Sequence, residues 1–181
     1  GIKEKVAFDS MVRLVSNSSE FVKYQRTVTF VNSWHIKEYE SAAMWKTYLS
    51  NREGIAIQST YQRLVDSLAS YPDFEIMIGK IKYIDYATEA IPMLRNILFP
   101  FIYKRKSFEY EDELRAMIWT PEHGKNDMSN LQNNKYAGIT GLYVTVVLDR
   151  LIENIYVAPT APSWMLETIK AATEKFGVNK E

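Results

Sequence analysis

Apolar positions along this chain recur with two spacings, one helical and one alternating, and the switches between them predict its elements. In residues 5–15, Val6, Met11, Leu14 and Val15 fall near helical spacing, which predicts a helix. The segment Arg26 to Ser33 is β-branched and alternating, so it reads as a strand with Val28 and Phe30 on one face. From Glu38 to Ser50 the helical period returns, with Ala42, Trp45 and Leu49 on one stripe, and Gly54 is expected as its left-handed cap. Ile55 to Gln58 is a short strand, after which the hydroxyl of Ser59 or Thr60 can accept the first free amide of a helix running to about Ser70.

Glu75 to Tyr83 reads as a strand, and Ile91 to Tyr103 as a buried helix beginning near Pro92. Residues 121–141 are polar and rich in Asn and Gly, a long loop. Leu142 to Leu148 and Glu153 to Ala158 read as strands separated by a turn at Asp149 and Arg150. A last helix starts at Pro162, buries Met165, Ile169, Ala172 and Phe176, and ends at Gly177. Strands and helices intermix without a strict βαβ rhythm. The expectation is one α+β domain over residues 1–181, with a mixed, mainly antiparallel sheet of about five to six strands flanked by helices. Residues 1–24 are expected as an N-terminal helical segment, the remnant of a longer region.

Composition narrows the chemistry. Hydrophobic residues are 46% and charged residues 24%, an ordinary globular mixture that argues against disorder. Lys plus Arg and Asp plus Glu are 22 each, so net charge does not indicate nucleic acid as a partner. Without Cys, a disulfide framework, thiolate chemistry and a Cys-ligated zinc site are all excluded. Imidazole can come only from His35 and His123, and a His-based metal site would need carboxylates to complete it. No apolar run reaches membrane-span length and the start lacks the apolar stretch of a signal peptide, so a cytoplasmic location with no membrane partner is expected.

The stretch from Lys104 to Arg115, KRKSFEYEDELR, is the most charged, and it runs directly into the apolar Ala116 to Trp119. As a helix it pairs Glu111 with Arg115 and leaves a solvated face. As a strand after about Asp112 it aligns Glu111, Glu113 and Arg115 on one face, where three charges require a cleft. Both readings stay open in the sequence.

Several residues in order carry a resemblance: Ser33-Trp34-His35, Glu40-Ser41, Met44-Trp45-x-x-Tyr48, Gly54 to Ile57, the strand ending Lys82-Tyr83, then Lys106 with Glu111-x-Glu113-x-Arg115. Over roughly residues 30–158 the set resembles the bacterial domain of unknown function 2971 family. The resemblance implies a fold and no settled activity, and the abrupt start before Arg26 implies an absent N-terminal portion. A second likeness is to the Arg, Ser-Thr-Ser and Glu-x-Glu signature of arginine-directed ADP-ribosyltransferases, carried by Arg26, Ser59-Thr60 and Glu111-x-Glu113, with Tyr61 in place of the third hydroxyl residue.

What that second likeness implies is an NAD site. Arg26 would hold the diphosphate, Ser59 the nicotinamide-ribose end, Glu113 the ribose hydroxyl and the developing cation, and Glu111 the acceptor, with Trp45 or Tyr48 stacking nearby. A different reading takes Glu111, Glu113 and His35 or Glu40 as hard-cation ligands, with Lys106 or Arg115 on a phosphate, as in metal-assisted phosphodiester cleavage. A non-catalytic reading lines a binding groove with Trp34, His35, Trp45 and Tyr48. Common to all three is a polar cluster at Trp34, His35, Trp45, Tyr48, Lys106, Glu111, Glu113 and Arg115, expected to bind or process a small-molecule nucleotide, with NAD as the leading cofactor.

Overall fold

The computed structural model describes residues 19–178 apart from residues 20, 50, 52, 70, 91–97, 121–135, 137 and 138. The helix expected over residues 5–15, most of the one expected over 91–103 and most of the long loop lie outside the described residues. Helix α1 (residues 21–28) leads into β1 (Thr29–His35), so the strand expected from Arg26 begins at Thr29 and Arg26 lies exposed on the helix. Tertiary contacts override the β-branched pattern there. Val28 is 0% exposed, the Thr27 hydroxyl donates to the Tyr24 carbonyl at 2.8 Å, and the buried Gln25 side chain accepts from the Trp119 indole at 2.9 Å.

Helix α2 (Ala42–Tyr48) is capped by the Ser41 hydroxyl, which accepts from the Met44 amide at 3.4 Å. Its end is not the left-handed glycine expected at Gly54: the cap is Leu49 in extended geometry, and a Cβ on Gly54 would come within 2.2 Å of Leu49 Cδ2. A side chain at that position would have to displace the end of the Leu49 side chain. Next come β2 (Ile55–Gln58) and α3 (Tyr61–Leu68), whose cap is Thr60, accepting from the Arg63 amide at 3.2 Å. The strand expected over 75–83 is two strands, β3 (Ile76–Lys80) and β4 (Lys82–Ile84), because the buried Ile81 donates its amide to the Glu113 carbonyl at 2.8 Å while the chain crosses between sheets.

Helix α4 (Phe99–Ile102) passes straight into β5 (Tyr103–Arg105), then a 3₁₀ turn (Lys106–Glu111) and β6 (Glu113–Trp119). Residues 142–147, expected as a strand, alternate in exposure as a strand does but take no strand pairing, and the expected turn after them is α5 (Leu148–Leu151). The residue pattern alone cannot supply the neighbouring strand that a ladder needs. The chain closes with β7 (Asn154–Val157) and α6 (Ser163–Lys175), which ends at Gly177 with φ 68°.

The class is α+β. Among the described residues the strands divide into a three-stranded antiparallel sheet in the order β1-β6-β3, an antiparallel pair β2-β7 and a parallel pair β4-β5. Central β6 buries Ala116, Met117 and Ile118 against both sides. The register sets His35 opposite Glu113 and Ser33 opposite Arg115, so these four side chains share one face, while Trp34 and Leu114 share the other. Helix α6 has no fully buried residue, and Phe176, expected on its inner face, is 73% exposed.

Those exposures give a direct contrast. Ile84, at 1% exposure, should cost about 2–5 kcal/mol when truncated to Ala, because the cavity cannot fill. Phe176→Ala should stay within about 0.5 kcal/mol. Urea denaturation of the two variants beside the wild type measures both.

Candidate functional site

The charged stretch folds back on itself. Lys104 leaves β5, the 3₁₀ turn reverses the chain, and Asp112 adopts the left-handed conformation, φ 38° and ψ 64°, before β6 starts. Asp tolerates that region better than branched residues do. Its carboxylate pairs with Lys80 at 2.9 Å and Lys37 at 3.5 Å, and its carbonyl accepts from the Ile36 amide at 2.8 Å, which ties the corner to the end of β1. Because the corner turns the chain between them, Glu111 and Glu113 converge on one ammonium although they belong to different elements. Lys104 Nζ donates to Glu111 Oε2, and to Glu113 Oε2 at 3.3 Å.

Arg115 completes the cluster from the same strand as Glu113. Its Nε donates to Glu113 Oε1 at 2.7 Å and its Nη2 to Oε2 at 3.0 Å, a two-pronged grip, while Nη1 donates to the Phe101 carbonyl. Lys104 also lies 5.0 Å from the centre of the Phe108 ring. Glu111 and Glu113 are each only 6% exposed, so for them the solvated-face reading does not hold; Lys106 and Tyr110, on the turn between, are exposed. Burial is made tolerable by two cations meeting two anions.

The electrostatics follow. Burial alone would raise the Glu113 pKa, but the hydrogen bonds from Arg115 and Ser33 and the charges of Arg115 and Lys104 outweigh it, and the carboxyl is held below its ordinary 4.5. Burial likewise pulls Lys104 down, yet its bond to Glu111 and the two negative charges leave it above its ordinary 10.5. Burial, then the charge of Glu111, pushes up the phenol of Tyr48. Tyr83 accepts the Glu113 amide at 2.9 Å, and burial raises its pKa despite that bond.

Around the open edge of β1 lies a groove of about 480 Å³, within the roughly 300–1,000 Å³ usual for small-ligand sites. Five aromatic side chains line it, Trp34 from β1, Tyr39 after it, Trp45 and Tyr48 from α2, and Tyr156 from β7, beside aliphatic and charged neighbours such as Ile55, Ile57 and Glu38. A recess of about 500 Å³ adjoins it and is lined by Lys104, Glu111, Glu113 and Arg115. Trp34, His35, Met44 and Tyr48 line both, and since Trp34 and His35 point to opposite faces of β1, the space wraps around that strand's edge. On α2, Met44 and Tyr48 are four residues apart and share a helix face, which is why both reach the recess while Trp45 serves only the groove.

The expected site residues fall into two groups. Trp34, His35, Trp45, Tyr48, Glu111, Glu113 and Arg115 come together here, with Glu40, whose Oε2 accepts from the Trp45 indole at 3.3 Å. Ser59 is on the groove, but its hydroxyl donates to the Leu151 carbonyl at 2.5 Å. Arg26 and Lys106 are exposed and line neither space. The lysine in the cluster is Lys104, two positions before the one expected; a lysine at either position fits the sequence pattern, and β5 ends at Arg105 so that Lys106 falls on the exposed 3₁₀ turn.

His35 donates from Nδ1 to the Glu111 carbonyl, which leaves Nε2 as the acceptor nitrogen, buried and without a hydrogen-bond partner among the described residues. No three His, Asp or Glu side chains converge to hold a metal among the described residues. The space between Glu111 and Glu113, where the alternative metal-assisted reading puts a hard cation, is filled by the Lys104 ammonium. The set therefore does not fit a divalent ion. Comparisons of the chain with protein-family models, with curated proteins and with solved structures returned no match.

Three outcomes follow from the geometry. Lys104→Gln should destabilise by about 3 kcal/mol at pH 7, since it strands Glu111 as a buried charge. In the wild type, Glu113 contributes stability above its unfolded value near 4.5 that disappears as pH falls through its lower folded pKa; Lys104 contributes below 10.5 and loses it as pH rises through its higher folded pKa. Urea midpoints across pH 3–11 should therefore show a plateau between about 5 and 10. At the corner, Asp112→Asn should cost about 1 kcal/mol or less and Asp112→Val about 2 kcal/mol or more, because a branched side chain resists the left-handed region.

Proposed function

We propose that this domain binds a nucleotide and acts at its glycosidic bond, with NAD as the substrate and hydrolysis or ADP-ribosyl transfer as the reaction. The observation that carries the reading is the continuity of the two spaces: a flat ring stacked between the aromatic walls has its attached sugar beside the Glu111 and Glu113 carboxylates, because the same Tyr48, Met44 and His35 line both. Nicotinamide would leave with the bonding electron pair, the anomeric carbon would become oxocarbenium-like, and a carboxylate held ionised beside it would lower that barrier. Water or an acceptor nucleophile then adds to the same carbon and releases a proton.

The two carboxylates are not equivalent. Glu113 accepts from Arg115 twice and from Lys104, so its oxygens are committed to the cluster. Glu111 is held through Oε2 by Lys104 and has acceptor capacity left. Glu111 is therefore assigned to the reacting sugar and Glu113 to positioning Lys104 and Arg115. The saturation of Glu113 also favours a second reading, a binding module in which the cluster only shapes the recess.

The test is nicotinamide release from NAD, with and without cell extract as acceptor source, by wild type, Glu111→Gln and Glu113→Gln. Under the catalytic reading the wild type releases nicotinamide and Glu111→Gln, still folded by circular dichroism, loses about 100-fold or more in kcat with little change in KM. Glu113→Gln should lose both activity and several degrees of Tm. No release by wild type together with saturable quenching of tryptophan fluorescence by NAD would replace the enzyme with the binding module.

A further inference from the structure

We infer that the site recognises a planar cationic ring and its sugar and leaves the phosphates of a larger nucleotide in solvent, an inference that deepens the glycosidic reading above and rests on it for the reaction. The residues lining groove and recess include the carboxylates Glu38, Glu40, Glu111 and Glu113 but only the cations Lys37, Lys104 and Arg115. Each of those cations is already engaged: Lys37 by Asp112 at 3.5 Å, Lys104 by both recess carboxylates, Arg115 by Glu113 and the Phe101 carbonyl.

A bound diphosphate calls for uncommitted guanidinium forks or a glycine-rich cradle of amides. Among the described lining residues there is neither, since no glycine lines either space. The excess of carboxylates in the lining repels a polyanion and favours a cation. The walls agree with this sign. Aromatic faces attract positive charge, and Glu40 is pinned at the edge of Trp45 by the indole N–H, which sets a carboxylate beside the ring plane a cation would occupy. A pyridinium ring joined to ribose has the matching form: flat, positively charged, and bearing hydroxyls toward Glu111.

The experiment compares substrates and ring mimics on the full chain. Initial rates of nicotinamide release are measured with nicotinamide riboside, its mononucleotide and NAD, and tryptophan quenching is titrated with the N-methylnicotinamide cation and with neutral nicotinamide. The three substrates should agree in kcat/KM within about 10-fold, the cation should bind at least about 10-fold tighter than the neutral ring, and Glu40→Gln, on an exposed side chain, should remove that preference. NAD turned over more than about 100-fold faster than the riboside would overturn the inference while leaving glycosidic cleavage standing, because the phosphates would then be recognised. Cation-selective binding without cleavage of any substrate would reject the reaction and keep the recognition. Equal binding of cation and neutral ring would overturn the inference whatever the rates.

Discussion

Two carboxylates at 6% exposure, Glu111 and Glu113, constrain everything around them. An unpaired buried charge would unfold the segment that buries it; Lys104 pairs with both carboxylates and Arg115 with Glu113, so two cations meet two anions. The architecture can be followed outward from that balance. Lys104 must come off β5 pointing inward, Asp112 must turn the chain left-handed so that both carboxylates face one ammonium, and Arg115 must sit on the central strand where it also reaches the Phe101 carbonyl. Removing one partner leaves an uncompensated charge, so the elements that supply these residues depend on each other more than their modest hydrophobic contacts require.

The cluster matters to function because of where it lies. It closes the inner end of an aromatic groove, and the open edge of β1 gives the groove its path between the two faces of the sheet. In the proposed reaction a carboxylate of that recess would face the developing positive charge. The same feature disfavours a polyanion. The proposed ligand, a flat cation carrying a polar, hydroxylated substituent, rests on that charge balance together with the aromatic side chains of the groove and the adjoining recess.

Much of this was legible in the residues themselves. The elements Ile55–Gln58, the helix after Thr60 and the final helix ending at Gly177 rest on local physics: alternation, a hydroxyl that caps an amide, and a residue free to adopt positive φ. The placement of a strand just after Asp112 came from the same source, whereas grouping Trp34, His35, Tyr48, Glu111, Glu113 and Arg115 rested on a resemblance and not on local physics. Where local pattern misled, a distant contact was stronger. Arg26 to Val28 stayed helical because Gln25 and Val28 dock, residues 142–147 alternate in exposure yet pair with no strand among the described residues, and Gly54 packs against the Leu49 side chain instead of capping the helix.

By itself, then, the sequence determined the α+β alternation, the caps and the concentration of charge before a buried strand, since each depends on neighbours within a few residues. Only the tertiary structure decided which lysine enters the cluster, which carboxylate keeps acceptor capacity, and that the strands divide among three sheets. Those outcomes depend on pairing between segments far apart in the chain, where register and burial choose among residues of identical type. Lys104 and Lys106 are chemically the same side chain; the change from strand to 3₁₀ turn after Arg105 leaves Lys104 against Glu111 and Lys106 in solvent.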